Sequence, residues 1–282
     1  MCSAGRPQAR LADLSHWREH LAALDYLDIQ LSIDGADEAT NDAVRGAGSW
    51  RTARTAMDHL ADAGFGPFKI SVVATRHNVP QLDDFQQLAA DYGAQLRLTR
   101  LRPSGRAVDT WDDLHPTAAQ QREIYSWLLA HGEGVLTGDS FFHLNALGDP
   151  LPGLNMCGAG RVVCLIDPVG DVYACPFVIH DEFLAGNVRS EGGFAKVWRE
   201  AELFTALREP GSAGACTSCG SYDACQGGCM AAKFFTGLEL DDPDPECVHG
   251  HGEAALAAKG LTIRPRPSED HSRRVPVSLQ RR

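Results

Sequence analysis

The segment Cys216–Cys229, CTSCGSYDACQGGC, decides the fold of the carboxyl-terminal half of this chain. It places four cysteines within 14 residues, in the spacing C-x2-C-x5-C-x3-C. The whole chain has 282 residues and nine cysteines, and eight of these lie between Cys157 and Cys247. Cysteines gathered in this way favour metal or cluster ligation over a disulfide framework. We therefore expect a cysteine-rich domain that is built around metal centres.

The other four cysteines of this region flank the segment at longer and irregular spacing. Cys157, Cys164 and Cys175 precede it, and Cys247 follows it after 17 residues. Eight thiolates make two sets of four, the number that a tetrahedral zinc ion or a [4Fe–4S] cluster requires. Zinc modules usually repeat C-x2-C pairs, whereas this region has one such pair. The spacing therefore favours iron–sulfur clusters, and a zinc-stabilised binding domain stays as the alternative.

Three further residues have side chains that could bind a metal ion. Cys2 stands apart from the other cysteines near the amino terminus, and we expect it to be an incidental thiol. His249 and His251 follow Cys247 closely. Because eight thiolates are already available, we expect these two histidines to be ordinary surface loop residues.

The charge of the chain excludes several classes of partner. Its 26 basic and 37 acidic residues give a net charge of −11, which would repel the phosphates of nucleic acids and anionic lipids. No apolar run approaches the ~20 residues that cross a bilayer. The amino-terminal MCSAGRPQAR also lacks the apolar core of a signal peptide. We expect a cytoplasmic protein that binds neither nucleic acid nor membrane.

The amino-terminal half alternates helical and strand patterns. This alternation predicts an α/β fold with a parallel sheet or barrel. The predicted strands span 27–33, 68–75 and 94–101, and the predicted helices span 13–24, 49–63, 81–92 and 117–131. The resulting domains are a βα region at 1–135, a linker with the cysteine-rich domain at 136–255, and a disordered basic tail at 256–282.

The first of these strands has one polar face. Leu31 and Ile33 alternate with Ser32 and Asp34, so the apolar and polar side chains lie on opposite faces. A strand of a parallel sheet that is covered on both faces is apolar throughout. The pattern therefore indicates a barrel with a polar lumen, although a solvated edge strand would show the same alternation. Active sites of α/β barrels lie at the carboxyl ends of the strands, where Ser32 and Asp34 are predicted.

The cysteine pattern resembles the SPASM domain of radical S-adenosylmethionine (SAM) peptide maturases. It reads Cys157-x12-Gly170-x4-Cys175, then Cys216-x2-Cys219-x5-Cys225-x3-Cys229, and finally Cys247. The resemblance implies two auxiliary [4Fe–4S] clusters with interleaved ligands. The first cysteine set would be Cys157, Cys164, Cys175 and Cys229, and the second cysteine set would be Cys216, Cys219, Cys225 and Cys247.

Two stretches of the amino-terminal half resemble strands of the radical SAM barrel. IQLSIDGADEATNDAVRG (29–46) resembles the fourth strand and its loop, which implies that Ser32 and Arg45 contact SAM. RLTRLRPSGRA (97–107) resembles the sixth strand, which implies that Leu101 lines the adenine pocket. The expected fold is therefore the last three βα units of a (βα)6 barrel, followed by an irregular SPASM domain.

Longer strings resemble the maturases of mycofactocin biosynthesis, relatives of the pyrroloquinoline quinone synthesis maturases. They include RHNVPQLDDF (76–85) and CGAGRVVCLIDPVGDVYACPF (157–177). The resemblance implies oxidative decarboxylation of the carboxyl-terminal tyrosine of a precursor peptide, followed by its crosslinking to the preceding valine. The implied partners are that peptide, a small peptide-binding chaperone and an electron donor. Sulfatase-type maturases have an aspartate that acts as a base at the position where this chain has Pro176. This difference argues against a sulfatase as the substrate.

The CxxxCxxC motif that holds the SAM-binding cluster of this family is absent. Cys2 is the only cysteine before Cys157, so the barrel half cannot supply three thiolates. We expect an amino-terminally truncated chain that binds SAM and a third cluster only together with the missing region, and that is inactive alone. An iron–sulfur electron-transfer or peptide-docking module without radical chemistry is the alternative. Asp34 is a candidate for any carboxylate that catalysis requires.

Overall fold

A computed structural model describes residues 28–104, 107, 109–137, 141–151 and 156–260. The helix predicted over 13–24 and the segment 261–282 lie outside the described residues. The chain divides into two compact units. Among the described residues, the first unit contains 28–101, 113–137 and Leu151, and the second unit contains those within 102–112, 141–150 and 156–260.

The first unit is a parallel sheet with helices between its strands. The strands are β1 (Gln30–Ser32), β2 (Lys69–Ala74), β3 (Gln95–Arg100) and β4 (Val135–Leu136), in the order β1-β2-β3-β4. The helices are α1 (Glu38–Arg45), α2 (Ser49–Asp62), α3 (Leu82–Asp91), α4 (Trp111–Leu114) and α5 (Ala118–His131), of which α4 crosses the boundary to the second unit. In the register of the sheet, Ser32 lies opposite Ser71, and Ser71 lies opposite Arg97.

Apolar side chains at the expected spacings form the core of this unit. In β2, Ile70 and Val72 are fully buried, as the central strand of a covered parallel sheet requires. Helix α2 buries Ala53, Ala56, Met57 and Leu60, which are three or four residues apart and therefore lie on one face. A capping box at Thr117 and Gln120 fixes the start of α5.

The three predicted strands and the helices predicted over 49–63, 81–92 and 117–131 are present in the structure. The sheet also contains a fourth strand, because Val135 and Leu136, on either side of the predicted domain boundary, pair with β3. The short helix α1, directly after β1, was also not predicted. A strand of two residues is too short to have a period, and α1 buries only Asn41, so hydrophobic periodicity could reveal neither.

The second unit contains a small antiparallel sheet and short helices. Its strands are β5 (Leu165–Ile166), β6 (Asp171–Tyr173) and β7 (Leu184–Asn187). Its helices are α6 (Gly193–Glu200), α7 (Glu202–Arg208), α8 (Tyr222–Cys225), α9 (Met230–Thr236) and α10 (His251–Ala258). The core includes Tyr173, Phe183 and Phe204, which are fully buried.

Two predicted boundaries change in the structure. Residues 102–112 belong to the second unit rather than to the βα region. Helix α10 continues to Ala258, so the predicted tail cannot begin at 256. None of the helices in the described ranges is both long and apolar enough to span a membrane.

Candidate cluster-binding sites

The second cysteine set lines a single small, partly open cavity. Cys216 lies in the short helical turn Gly214–Ser218, and the backbone N–H of Cys219 donates to the Cys216 carbonyl at 3.3 Å. Cys225 ends α8, and the loop before α10 carries Cys247. Three separate segments therefore direct four thiols into one space, as the sequence pattern predicted.

Polar side chains complete the wall of this cavity. They are His143, Tyr222, Asp244, His249 and His251. A ring nitrogen of His249 lies 3.0 Å from the Ser221 hydroxyl oxygen, and His251 begins α10. The two histidines therefore border the candidate site, although the sequence predicts them to be ordinary surface loop residues. Their proximity to Cys247 in sequence was the available signal.

The first cysteine set lies in different surroundings. Cys157, Cys175 and Cys229 are 9%, 6% and 3% exposed and belong to the apolar core of the second unit. Cys164 is half-buried and packs against the same core. The charge of a Cys229 thiolate raises the pKa of Cys157 and of Cys175, so these three sulfurs lie close enough to interact. For Cys164, in contrast, burial is the cause that raises the pKa.

Burial raises the pKa of six of the eight thiols and so favours their protonated form when no metal is bound. It is the main cause that raises the pKa of Cys175 to about 12 and of Cys216 to about 11. Burial also raises the pKa of Cys157, Cys225 and Cys247. Metal ligands must be thiolates, so binding releases protons and is favoured as the pH rises.

Neither cysteine set forms a ready-made site for a single metal ion. In the part of the chain that the structure describes, no three Cys, His, Asp or Glu side chains are placed to hold one metal ion. A zinc site needs all four sulfurs at about 2.3 Å from one point, whereas a [4Fe–4S] cluster receives each of its four thiolates at a different iron.

The carboxyl end of β1 is organised around Asp34. Its Oδ2 lies 2.7 Å from Arg45 Nε, and its Oδ1 accepts a hydrogen bond from Val73 N at 3.2 Å. Gly35 permits the close approach of α1, because a Cβ there would lie 2.2 Å from Asn41 N. Both carboxylate oxygens are therefore engaged, and Asp34 positions Arg45 beside β1.

The predicted SAM contacts lie at the carboxyl ends of two strands that are not neighbours. Ser32 is half-buried at the end of β1, and Leu101 is buried directly after β3, with β2 between these strands. Arg45 is brought to the β1 end through Asp34. The described part of the first unit contains no cysteine, so its residues do not fit a third cluster.

Comparison with known proteins identifies the family. A model of the SPASM iron–sulfur cluster-binding domain matches residues 157–220. The mycofactocin maturase MftC of Mycolicibacterium smegmatis is 66% identical over 92% of this chain and 67% of its own length. That of Mycobacterium ulcerans is 68% identical over 90% of this chain and 69% of its own length. The chain belongs to the mycofactocin maturase family.

Membership of the mycofactocin maturase family confirms the resemblance inferred from the sequence. The PqqA peptide cyclase of Streptomyces rochei is a more distant relative, 26% identical over 78% of this chain and 61% of its own length. Cys225, Cys229 and Cys247 lie beyond the region that the SPASM model matches. The position of Cys225 and Cys247 in the cavity is therefore evidence from the structure.

Solved structures confirm the fold of this member of the mycofactocin maturase family. AnSMEcpe with bound AdoMet superposes with a TM-score of 0.59 at 13% identity, covering 86% of this chain and 67% of its own. Streptococcus suis SuiB bound to its precursor peptide SuiA gives 0.58 at 17% identity, covering 82% and 55%. The chain thus has a partial radical SAM barrel followed by a SPASM domain, as predicted.

Proposed function

We propose that this chain is the auxiliary-cluster part of a maturase that oxidises a ribosomally made precursor peptide. The observation that carries the proposal is the convergence of Cys216, Cys219, Cys225 and Cys247 on one cavity. Together with the buried first set, this grouping supports two [4Fe–4S] clusters, each held by four cysteines. The high identity to mycofactocin maturases supports decarboxylation of a carboxyl-terminal tyrosine and its crosslinking to valine as the reaction.

The proposed clusters would serve as electron carriers. When bound, a [4Fe–4S] cluster can accept the electron that leaves the peptide during its oxidation. The protein holds each set of thiolates, buries three cysteines of the first set among apolar side chains and leaves three of the second set, Cys219, Cys225 and Cys247, partly exposed. An electron donor, the precursor peptide and its small chaperone complete the proposed system. The free thiols that cluster assembly requires fit the reducing cytoplasm.

The first unit would contribute the wall of the SAM site but not its cluster. Arg45, held by Asp34, and Ser32 and Leu101 at the strand ends are the residues proposed to contact SAM. Because the described part of this unit supplies no thiolate, we propose that the chain alone does not cleave SAM. Three thiolates from another segment would be needed.

Metal and sulfide analysis of the anaerobically reconstituted chain tests the cluster proposal. Two clusters predict about eight irons and as many acid-labile sulfides per chain. Cys2→Ala is the matched control, because it removes a cysteine outside both sets and should leave the count unchanged. Zinc without sulfide would support the zinc-stabilised binding domain and contradict the proposal.

A SAM cleavage assay separates the maturase from a module that only transfers electrons or docks a peptide. We expect no 5′-deoxyadenosine from the chain alone under strong reduction. Formation of this product by the chain alone would contradict the proposal that it lacks the radical-generating site. Product formation after addition of a relative's CxxxCxxC region would support the maturase function, whereas clusters that never support cleavage would favour the electron-transfer module.

A further inference from the structure

Lys233 is a buried lysine beside the cysteines of both sets. It is 1% exposed. It lies in α9 one turn after Cys229, and its backbone N–H donates to the Cys229 carbonyl at 3.1 Å. A lysine is seldom buried without a compensating partner, because removing its charge from water is costly. The SPASM resemblance gives this lysine no function.

The ammonium group of Lys233 lies against the segment that joins the two cysteine sets. Its Nζ donates to the Leu240 carbonyl at 2.8 Å. The same Nζ is 2.7 Å from the position that a Cβ on Gly227 would occupy. Gly227 stands between Cys225 of the second set and Cys229 of the first. The absence of a side chain at Gly227 thus leaves room for a buried cation at the junction of the two sets.

The charges around Lys233 come from both cysteine sets. Burial lowers the pKa of Lys233, and the charge of Asp244 is the largest influence that opposes this shift. Thiolate charges at Cys216, Cys157 and Cys229 act in the same direction as Asp244. A positive charge at this position therefore interacts with ligands of the first and of the second proposed cluster.

Asp244 is the buried negative charge at the same junction. It is 2% exposed, and its Oδ2 accepts a hydrogen bond from Cys229 N at 2.8 Å. Its Oδ1 accepts from Glu246 N at 2.9 Å, and its own carbonyl accepts from Cys247 N at 2.9 Å. Asp244 also lines the cavity of the second set. Asp244 thus contacts the backbone at a cysteine of each set, that of Cys229 through its carboxylate and that of Cys247 through its main-chain carbonyl.

We propose that Lys233 and Asp244 are positioning residues that set the reduction potentials of the two clusters, Lys233 raising them and Asp244 lowering them. This inference rests on the proposed function, because it requires the clusters. Reduction adds one electron to a cluster, moves no proton, and makes the cluster more negative. A buried cation stabilises that reduced form and a buried anion destabilises it, and both effects are large where water is excluded.

The test is a potentiometric titration of the reconstituted full chain, with the reduced clusters followed by electron paramagnetic resonance (EPR). Lys233→Met removes the charge at similar length, and Lys196→Met removes an equal charge from an exposed position of α6. We expect Lys233→Met to lower the ratio of reduced to oxidised cluster at a fixed potential by about tenfold. Lys196→Met should leave this ratio unchanged, and Lys233→Arg should restore it in large part.

Asp244→Asn should shift the reduction potential in the opposite direction to Lys233→Met. This variant keeps one hydrogen-bond acceptor but removes the charge, so we expect the second cluster to become easier to reduce. If Lys233→Met loses its clusters, the comparison of wild type with Asp244→Asn decides the matter. Unchanged potentials in either variant, with full iron and sulfide, would overturn the inference and leave the proposed function intact. A wild-type chain without clusters would instead overturn the proposed function, and the inference with it.

Discussion

The two cysteine sets of the second unit have the same proposed ligand but opposite surroundings. Cys157, Cys175 and Cys229 lie in an apolar core, whereas the second set lines an open cavity with histidine, tyrosine and aspartate side chains. A cluster in the core would be insulated from solvent and would form part of the packing. A cluster in the cavity would be accessible to an electron donor. Under the proposed function, burial rather than ligand type would distinguish the two clusters.

The largest expected effect comes from removing a ligand in the core. Cys229→Ala deletes a buried sulfur and one ligand of the first set, and we expect iron to fall to about half, since each cluster holds half of the ligands. The cavity left in the packed core should lower the free energy of unfolding by on the order of 1–2 kcal/mol even without clusters. Iron analysis and thermal unfolding of the cluster-free protein measure the two effects. An unchanged unfolding temperature would contradict the expectation that Cys229 stabilises the core by packing.

Removing a ligand from the open cavity should affect cluster binding much more than the stability of the fold. Cys219→Ala is expected to remove the second cluster, about half of the iron, and to leave the first cluster in place because the ligand sets do not overlap. Little change in the unfolding of the cluster-free protein is expected, since Cys219 is only half-buried. Iron analysis with thermal unfolding is again the measurement. Equal loss of both clusters would show that the sets are not independent.

Cys164 provides a smaller and sharper test of the first set. It is half-buried at the edge of the core, and no interaction with the other three sulfurs is described for it. If it is the fourth ligand, Cys164→Ala should reduce the iron of the first cluster without the loss of core stability expected for Cys229→Ala. Iron and sulfide analysis of the two variants side by side measures this. A full iron count in Cys164→Ala would make Cys164 a packing residue.

The smallest expected effect is a difference between the rates at which a chelator removes iron from the two clusters of the unmutated chain. When the reconstituted wild type is exposed to an iron chelator, the second cluster should be lost first, because its cavity is open and the first set is buried. Spectra recorded over time should resolve a fast and a slow phase of similar size. A single phase would contradict the difference in accessibility. In Cys219→Ala only the slow phase should remain.

The sequence predicted those features that repeat or follow a fixed spacing. β2, β3, α2 and α5 follow from hydrophobic periodicity, and the resemblance to SPASM domains implies the second cysteine set, which the structure brings to one cavity. β4 escaped prediction because two residues have no period. The spacing of the cysteines indicates which residues are candidate ligands, but it does not predict the side chains that surround them.

Interactions between residues distant in sequence could not be predicted. The polar face of β1 drew attention to Asp34, but only the structure places Arg45 and Val73 on its two carboxylate oxygens. The burial of Lys233 likewise depends on the path of the chain around Gly227 and Leu240. A lone lysine after a cysteine carries no pattern that would reveal it.

EPR spectra of stepwise reduced wild type, Cys219→Ala and Cys229→Ala test most directly whether the chain holds one cluster in each cysteine set. Wild type should give two distinct signals, of which Cys219→Ala retains one and Cys229→Ala retains the other. The spectra of the two variants should then add up to that of wild type. Loss of the same signal in both variants, or the absence of any cluster signal in wild type, would contradict the assignment of two clusters to these two sets.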